Sequence, residues 1–215
     1  MIKKEATFFI KYCFYFEIQS TFYTFIRNTF LFSMKRLFDI IFSLIALAIF
    51  AIPGTVIVLF LIIREKHNIF FRQERIGKNK SPFEILKFQT MVDEVPTRTG
   101  KVLRKTGLDE VPQFINVLKG DMSIVGPRAL TDYDIQRLNW DDDFHKRRWS
   151  VKPGITGYAQ LYGGQHRKTS WFWDTYYLRN HHVFIDFGIV FLSFMMNIFG
   201  KTRIRRLVFQ QKNLK

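Results

Sequence analysis

The sequence predicts an α+β fold: a small membrane-associated domain with an N-terminal re-entrant helix-break-helix, short strands and amphipathic interfacial helices. Three observations predict it. Residues 37–63 read LFDIIFSLIALAIFAIPGTVIVLFLII, and only Asp39, Ser43 and Thr55 in that run are polar. From Asn68 onward the chain changes to short segments of strand and helix character, punctuated by Gly and Pro. The composition joins strong basicity, 33 Lys+Arg against 18 Asp+Glu for a formal charge of +15, to aromatic bulk, 25 Phe.

A chain of 215 residues is long enough for one domain with a real core plus an appendage. Its basicity calls for an anionic partner: nucleic acid, anionic lipid or a phosphorylated substrate. The aliphatic and aromatic bulk favours a membrane over nucleic acid. A single cysteine, Cys13, excludes an intrachain disulfide and any CxxC metal site, and it fits a reducing compartment.

Residues 1–33 form an N-terminal extension of uncertain role. They are rich in Phe and Tyr but interrupted by Lys3, Lys4, Glu5, Lys11, Glu17 and Arg27, so no apolar run reaches spanning length. A signal peptide is not expected, because no compact apolar region leads to a small-residue cleavage site. Either the segment lies on the membrane surface or natural translation begins at Met34.

Residues 34–66 are expected to form a re-entrant membrane hairpin. As one straight helix the apolar run would be roughly 40 Å long, more than the ~30 Å hydrocarbon core requires. A simple span is the default reading, but two features oppose it. Pro53-Gly54 near the middle predicts a kink. Both flanks are basic, with Lys35 and Arg36 before and Arg64, Lys66, Arg72, Arg75, Lys78 and Lys80 after, whereas a spanning helix has a one-sided bias. Asp39 is expected to pair with Lys35 or Arg36 at the interface.

Residues 67–200 are expected to form the soluble domain with its interfacial helices. IFFRQERIGKN predicts a strand running into a turn at Gly77, and FEILKFQTM (83–91) has strand character at its start and end. In RTGKVLRKT (98–106) Lys101, Arg104 and Lys105 have helical spacing. EVPQFINVLKG predicts a helix with Pro112 in its first turn and Gly120 as the stop. SIVGPR (123–128) predicts a short strand ending in a loop, residues 131–149 a helix, and KPGITG (152–157) a turn. FIDFGIVFLSFMMNIFG (184–200) is an apolar segment suited to the interface plane, and residues 201–215 are a basic tail.

The stretch TGLDEVPQ (106–113) carries the chemistry. Two adjacent carboxylates, Asp109 and Glu110, sit at the mouth of a predicted helix. An Asp there is commonly a helix cap. The same place also favours an ionised carboxylate beside a phosphate, and such a group acts as a nucleophile or holds Mg²⁺. Arg104 lies five residues earlier and Arg128 follows in a loop; guanidinium groups match phosphate geometry. Other clusters are weaker. WDDD (140–143) reads more readily as an acidic helix start than as a metal site. His181 and His182 are neighbours that do not readily share a metal. No GxxxxGK[ST], GxGxxG or HExxH pattern is present.

In order, KRLFDIIFSL, FFRQERIGKN, ILKFQTM, LRKTGLDEVPQFINVLKGDMSIVGPR and KPGITGYAQLYGG resemble the bacterial sugar transferase family, the monotopic polyprenyl-phosphate phosphoglycosyl transferases that initiate glycan assembly. The resemblance covers roughly residues 34–200. It implies transfer of a sugar-1-phosphate from a UDP-sugar to undecaprenyl phosphate, with Mg²⁺, at the cytoplasmic face of the bacterial inner membrane. It implies that Asp109 attacks the β-phosphorus, expels UMP and carries the phospho-sugar covalently. Glu110 would assist, and the pair would hold the metal. Lys87, Arg104 and Arg128 would neutralise phosphate charge, and Pro127-Arg128 falls where the family has a uridine-contacting Pro-Arg-Pro loop. The partners are then donor, acceptor and membrane lipid, without nucleic acid; homo-oligomerisation stays open. Four positions depart from the family: Ile52 and Gly107 where serine is common, Gln89 for arginine, and Ala129 for the second proline. A degenerate family member is therefore a further reading, and a basic membrane-surface adaptor without chemistry is the alternative from another class.

Overall fold

The computed structural model describes residues 33–65, 68–163, 167–200 and Ile204. The expectations for residues 1–32 and for almost all of 201–215 lie outside the described residues, as does Lys66. The chain divides into two compact units, Met1–Phe38 and Asp39–Lys215. Of the first unit, the described part is the opening turns of a long helix.

That helix, α1, runs Ser33–Ile63, and its last turn widens to π geometry over Leu61–Glu65. The helical backbone continues through Pro53-Gly54, so the expected break is not a non-helical interruption. Proline removes one backbone donor here. One turn away, the Thr55 hydroxyl donates to the Ala51 carbonyl at 2.8 Å. The helix is turned inside out relative to a helix in water. In its first half the buried positions Asp39, Ser43 and Ala46 are polar or small, and near its end Leu61 is buried. Its exposed positions include Ile41, Leu44, Ile45, Ile49, Ile52 and Val56. Large aliphatic groups outward and polar groups inward suit a lipid surround.

Three small sheets follow. β1 (Phe70–Ile76) and β2 (Pro82–Phe88) form an antiparallel hairpin in which Phe71 faces Lys87. The predicted strand and turn at Gly77 are both present. β3 (Met91–Val92) and β4 (Val95–Pro96) make a minimal second hairpin. β5 (Ser123–Val125) and β6 (Gly154–Thr156) pair in parallel. The segment KPGITG is thus a turn only at its start. Its second half is a strand, because Gly126 and Gly154 allow the two backbones to approach without a Cβ between them.

α2 spans Arg98–Thr106, capped by the Thr97 side chain. A three-residue 3₁₀ turn, Leu108–Glu110, separates it from α3, Gln113–Lys119. The region 131–149 is not one helix. α4 (Asp132–Leu138) opens with a Thr131/Asp134 capping box and closes at Asn139 in the left-handed conformation, and a 3₁₀ helix then covers Asp143–Ser150. WDDD is the start of that second piece: Asp142 accepts from the His145 N–H and Lys80 pairs with Asp141. α5 (Arg167–Asn180), which the sequence reading had not assigned, leads to α6 (Val183–Phe199). His182 caps α6 through its ring, accepting from the Ile185 N–H. α6 shows Phe184, Phe187, Phe191, Phe194 and Ile198 outward in one stripe, and buries Asp186, Ile189 and Met196. Like α1 it exposes large apolar side chains and buries a carboxylate, Asp186, here beside apolar Ile189 and Met196.

Among the described residues, two cores hold these pieces. One packs Leu130, Ile135, Leu138, Trp140 and Trp149. The other joins Leu61 of α1 to Phe88 of β2 and Leu103 of α2, with Leu108 and Val111 against them. The second core brackets Asp109 and Glu110.

Candidate active site

Asp109 and Glu110 stand in their own 3₁₀ turn, not at the first turn of α3. Gly107 explains why. It ends α2 with φ +75° and begins the 3₁₀ turn, reversing the chain in a conformation that a side chain resists. A Cβ there would also sit 2.9 Å from Asn197 Nδ2 on α6. Glycine at this departure from the family suits its backbone, because φ +75° is a conformation that other residues adopt only with strain.

Lys87 reaches the pair from β2. Its Nζ donates to Glu110 Oε1 at 2.7 Å, with the two side chains 24% and 38% exposed. Asn116 fixes that geometry. Its amide donates to the Glu84 carbonyl at 2.7 Å and accepts from the Leu86 N–H at 3.0 Å, locking α3 onto the backbone of β2. Arg104, on the last turn of α2, lies near enough to act electrostatically on Asp109, and its Nη1 contacts Met91 Sδ at 2.8 Å. The expectation that a helix N-terminus would hold Asp109 ionised needs correction. Burial pushes its carboxyl above the ordinary aspartate range and the Glu110 charge adds to that. Lys87, Arg104 and a backbone hydrogen bond pull it back. The site thus concentrates a partly desolvated carboxyl among charges that do not fully neutralise it.

Arg128 belongs to a different group. It is exposed, makes no ion pair with the carboxylate pair, and its charge is felt by Arg75. Arg75 binds Asp134 at 3.5 Å and the Ala129 carbonyl at 3.3 Å. Pro127 is buried, and its carbonyl accepts from the Gly154 N–H at 2.8 Å. Gln89, another of the four departures, donates to the Met91 carbonyl. It lines an open cavity of about 550 Å³ with Asn68, Phe70 and Phe71, at the start of β1; the lining does not include Asp109 or Glu110.

Several structural residues were missed by sequence reasoning. Arg148 is 3% exposed and pairs with Asp174, 2% exposed, at 2.8 Å. Its guanidinium lies 5.3 Å from the Trp140 ring and 4.9 Å from the Trp149 ring, and it donates to the Arg128 carbonyl. Asp39 has partners on β5. Its Oδ1 accepts from Ser123 Oγ and from the Ile124 N–H, each at 2.9 Å. The only local signal was a carboxylate in an apolar helix, which demands a partner.

Among the described residues no group of three or more His, Cys, Asp or Glu side chains gathers as a metal cage. Two carboxylates are nonetheless the protein complement that Mg²⁺ accepts when substrate phosphates and water complete its shell.

Residues 30–200 match the profile of the family described as bacterial sugar transferase. The chain is 41% identical over 182 residues to an uncharacterised sugar transferase, EpsL, of Bacillus subtilis, covering 74% of this chain and 85% of that one. It is 32% identical over 189 residues to the UDP-glucose:undecaprenyl-phosphate glucose-1-phosphate transferase of Escherichia coli, covering 78% and 41%. It is 31% identical over 189 residues to the undecaprenyl-phosphate galactose phosphotransferase of Salmonella typhimurium, covering 74% and 39%. The chain spans about two fifths of the length of the latter two relatives. With residues 30–200 matched by the family profile and 41% identity to a sugar transferase covered over 85% of its length, this chain belongs to the bacterial sugar transferase family.

Proposed function

We propose that this protein is a phosphoglycosyl transferase that moves a sugar-1-phosphate from a UDP-sugar to undecaprenyl phosphate at the cytoplasmic face of a bacterial inner membrane. The observation that carries the reading is that Lys87 of β2 and Arg104 of α2 converge on the half-buried turn that holds Asp109 and Glu110. The printed activities of the longer relatives agree with it.

Asp109 in its ionised form attacks the β-phosphorus of the donor. The bond from that phosphorus to the bridging oxygen breaks, UMP leaves with the oxygen, and the phospho-sugar is held as an aspartyl ester. A phosphate oxygen of the lipid then attacks the same phosphorus and restores the Asp109 carboxylate. Splitting the displacement suits a site served in turn by a soluble donor and a lipid acceptor. Lys87 and Arg104 offset the charge that gathers on the phosphoryl oxygens. Glu110, tethered by Lys87, keeps that lysine in place and shares the carboxylate environment of Asp109. Bound Mg²⁺, held by Asp109 and Glu110, would supply further charge neutralisation. The exposed Arg128 beside buried Pro127 is the group we assign to the uridine end of the donor.

The re-entrant reading of α1 draws support from its two ends. At the start Asp39 bonds to β5, and at the end Leu61 packs on β2 and α2. Both ends therefore dock on one soluble body, although residues 39–61 would span about 33 Å if straight. The middle stands clear, with Ile49 66% and Ile52 78% exposed. Docked ends and a free, apolar middle fit a helix that dips into one leaflet and returns. The adaptor alternative leaves the carboxylate cluster without a role.

The test is a panel of UDP-sugars with undecaprenyl phosphate and Mg²⁺, read by UMP release. Turnover with one donor, an intact-mass adduct of one phospho-sugar, and loss of both in Asp109→Asn are expected. An Asp109→Asn protein with undiminished turnover would refute the assignment.

A further inference from the structure

Strand β5 is three residues long, and each is gripped by a side chain from a helix. Ser123 Oγ and the Ile124 N–H donate to Asp39 of α1 at 2.9 Å. Tyr177 of α5 places its hydroxyl 3.0 Å from the Val125 carbonyl and 2.9 Å from Asp186 Oδ1 of α6. Asp39, Ser123, Tyr177 and Asp186 are all at most 3% exposed. In so dry a setting these hydrogen bonds are costly to break, because each loss strands a buried polar group.

The chain passes from β5 directly into Gly126-Pro127-Arg128. The far side of that turn is held as well. The Gly126 N–H bonds to the Thr156 carbonyl at 3.0 Å, the Gly154 N–H to the Pro127 carbonyl at 2.8 Å, and Arg148 to the Arg128 carbonyl. The backbone of Arg128 is thereby fixed while its side chain remains exposed.

We propose that Asp39 is a positioning residue for donor binding: from within the apolar helix its carboxylate fixes β5 and so sets where Arg128 meets the nucleotide. The inference rests on the reading of this chain as a UDP-sugar enzyme. A carboxylate in lipid is expensive, so a helix that served only as an anchor would be better without one. Its alignment on two donors of β5 gives it a use.

The experiment takes the full chain in lipid nanodiscs and compares Asp39→Ala, Asp39→Asn and Ser123→Ala. Asparagine keeps a carbonyl oxygen that accepts both hydrogen bonds; alanine keeps none. Asp39→Ala is expected to raise KM for the UDP-sugar about tenfold with kcat within about twofold, and Ser123→Ala to raise KM about threefold. Asp39→Asn should stay within about threefold of wild type in both. Amide hydrogen exchange over residues 124–130 should quicken in Asp39→Ala and remain native in Asp39→Asn. A fall in kcat with KM unchanged, an Asn variant as impaired as Ala, or unaltered exchange overturns the proposal. Should Asp39→Ala fail to fold, the Ser123→Ala and Asp39→Asn pair decides the same question by KM. Should wild type turn over no donor at all, the functional reading has failed, and the exchange comparison alone decides whether Asp39 orders the loop.

Discussion

Two charged regions of this molecule are built on opposite principles. Around Asp109 the charges are half-exposed and imperfectly balanced: Glu110 has Lys87, while the Asp109 carboxyl is left above the ordinary range by burial and by its neighbour. Beneath Arg128 the charges are buried and bonded: Arg148 to Asp174, Asp39 to Ser123 and Ile124, Asp186 to Tyr177. Fully bonded buried networks hold backbone in place, whereas a carboxyl with a raised pKa among cations is the kind of group that binding sites carry. The difference separates scaffold from chemistry without any bound molecule.

Breaking the comparison begins with the reactive side. Asp109→Asn should cut UMP release by about 10³-fold or more. It should also raise the thermal midpoint at neutral pH, because a carboxyl whose folded pKa is raised opposes folding once ionised. Calorimetry and a turnover assay on one preparation check both. On the scaffold side, Arg148→Met should cost about 3–5 kcal/mol of stability by stranding Asp174, and denaturant unfolding measures it.

Lys87→Met sharpens the contrast. It should lower kcat by about 10²-fold. Wild-type activity should rise with pH through the raised Asp109 pKa, so its acid limb lies above that of an ordinary aspartate. Removing Lys87, which pulls that pKa down, should move the limb higher still, read from kcat/KM against pH. Gly107→Ser, which installs the residue common in the family, should cost about 1–2 kcal/mol because the position has φ +75°. At the bottom of the scale, Lys80→Ala breaks an exposed pair with Asp141 and should change stability by no more than about 0.5 kcal/mol.

The clustering of Asp109, Glu110, Lys87 and Arg104 was largely legible in the sequence. LDEVPQ and its basic neighbours are close together in the chain, and Lys87 joins them through one strand whose pattern was plain. The scaffold side was not. Arg148 meets Asp174 across 26 residues and Asp39 meets Ser123 across 84, and no periodicity encodes such pairings. Local assignments failed where backbone contact overrode composition. KPGITG looks like a turn, yet parallel pairing with β5 makes half of it strand. Residues 131–149 look like one helix, yet Asn139 in the left-handed conformation divides them. The four departures also read differently in three dimensions, since Gly107 suits its own dihedral angle.

On the proposed membrane reading, the inward carboxylate of α1 has a consequence for how this helix would settle in a bilayer. Grease alone sets neither the rotation of a rod about its long axis nor its depth, but a hydrogen-bonded acid does both. One residue inserted between Asp39 and Ser43 would swing the first against the second by 100°. Either the acid or the serine would then turn toward acyl chains. The helix is thus indexed like a key in a lock, and a uniformly apolar replacement of the same length would anchor the protein while losing its angular setting.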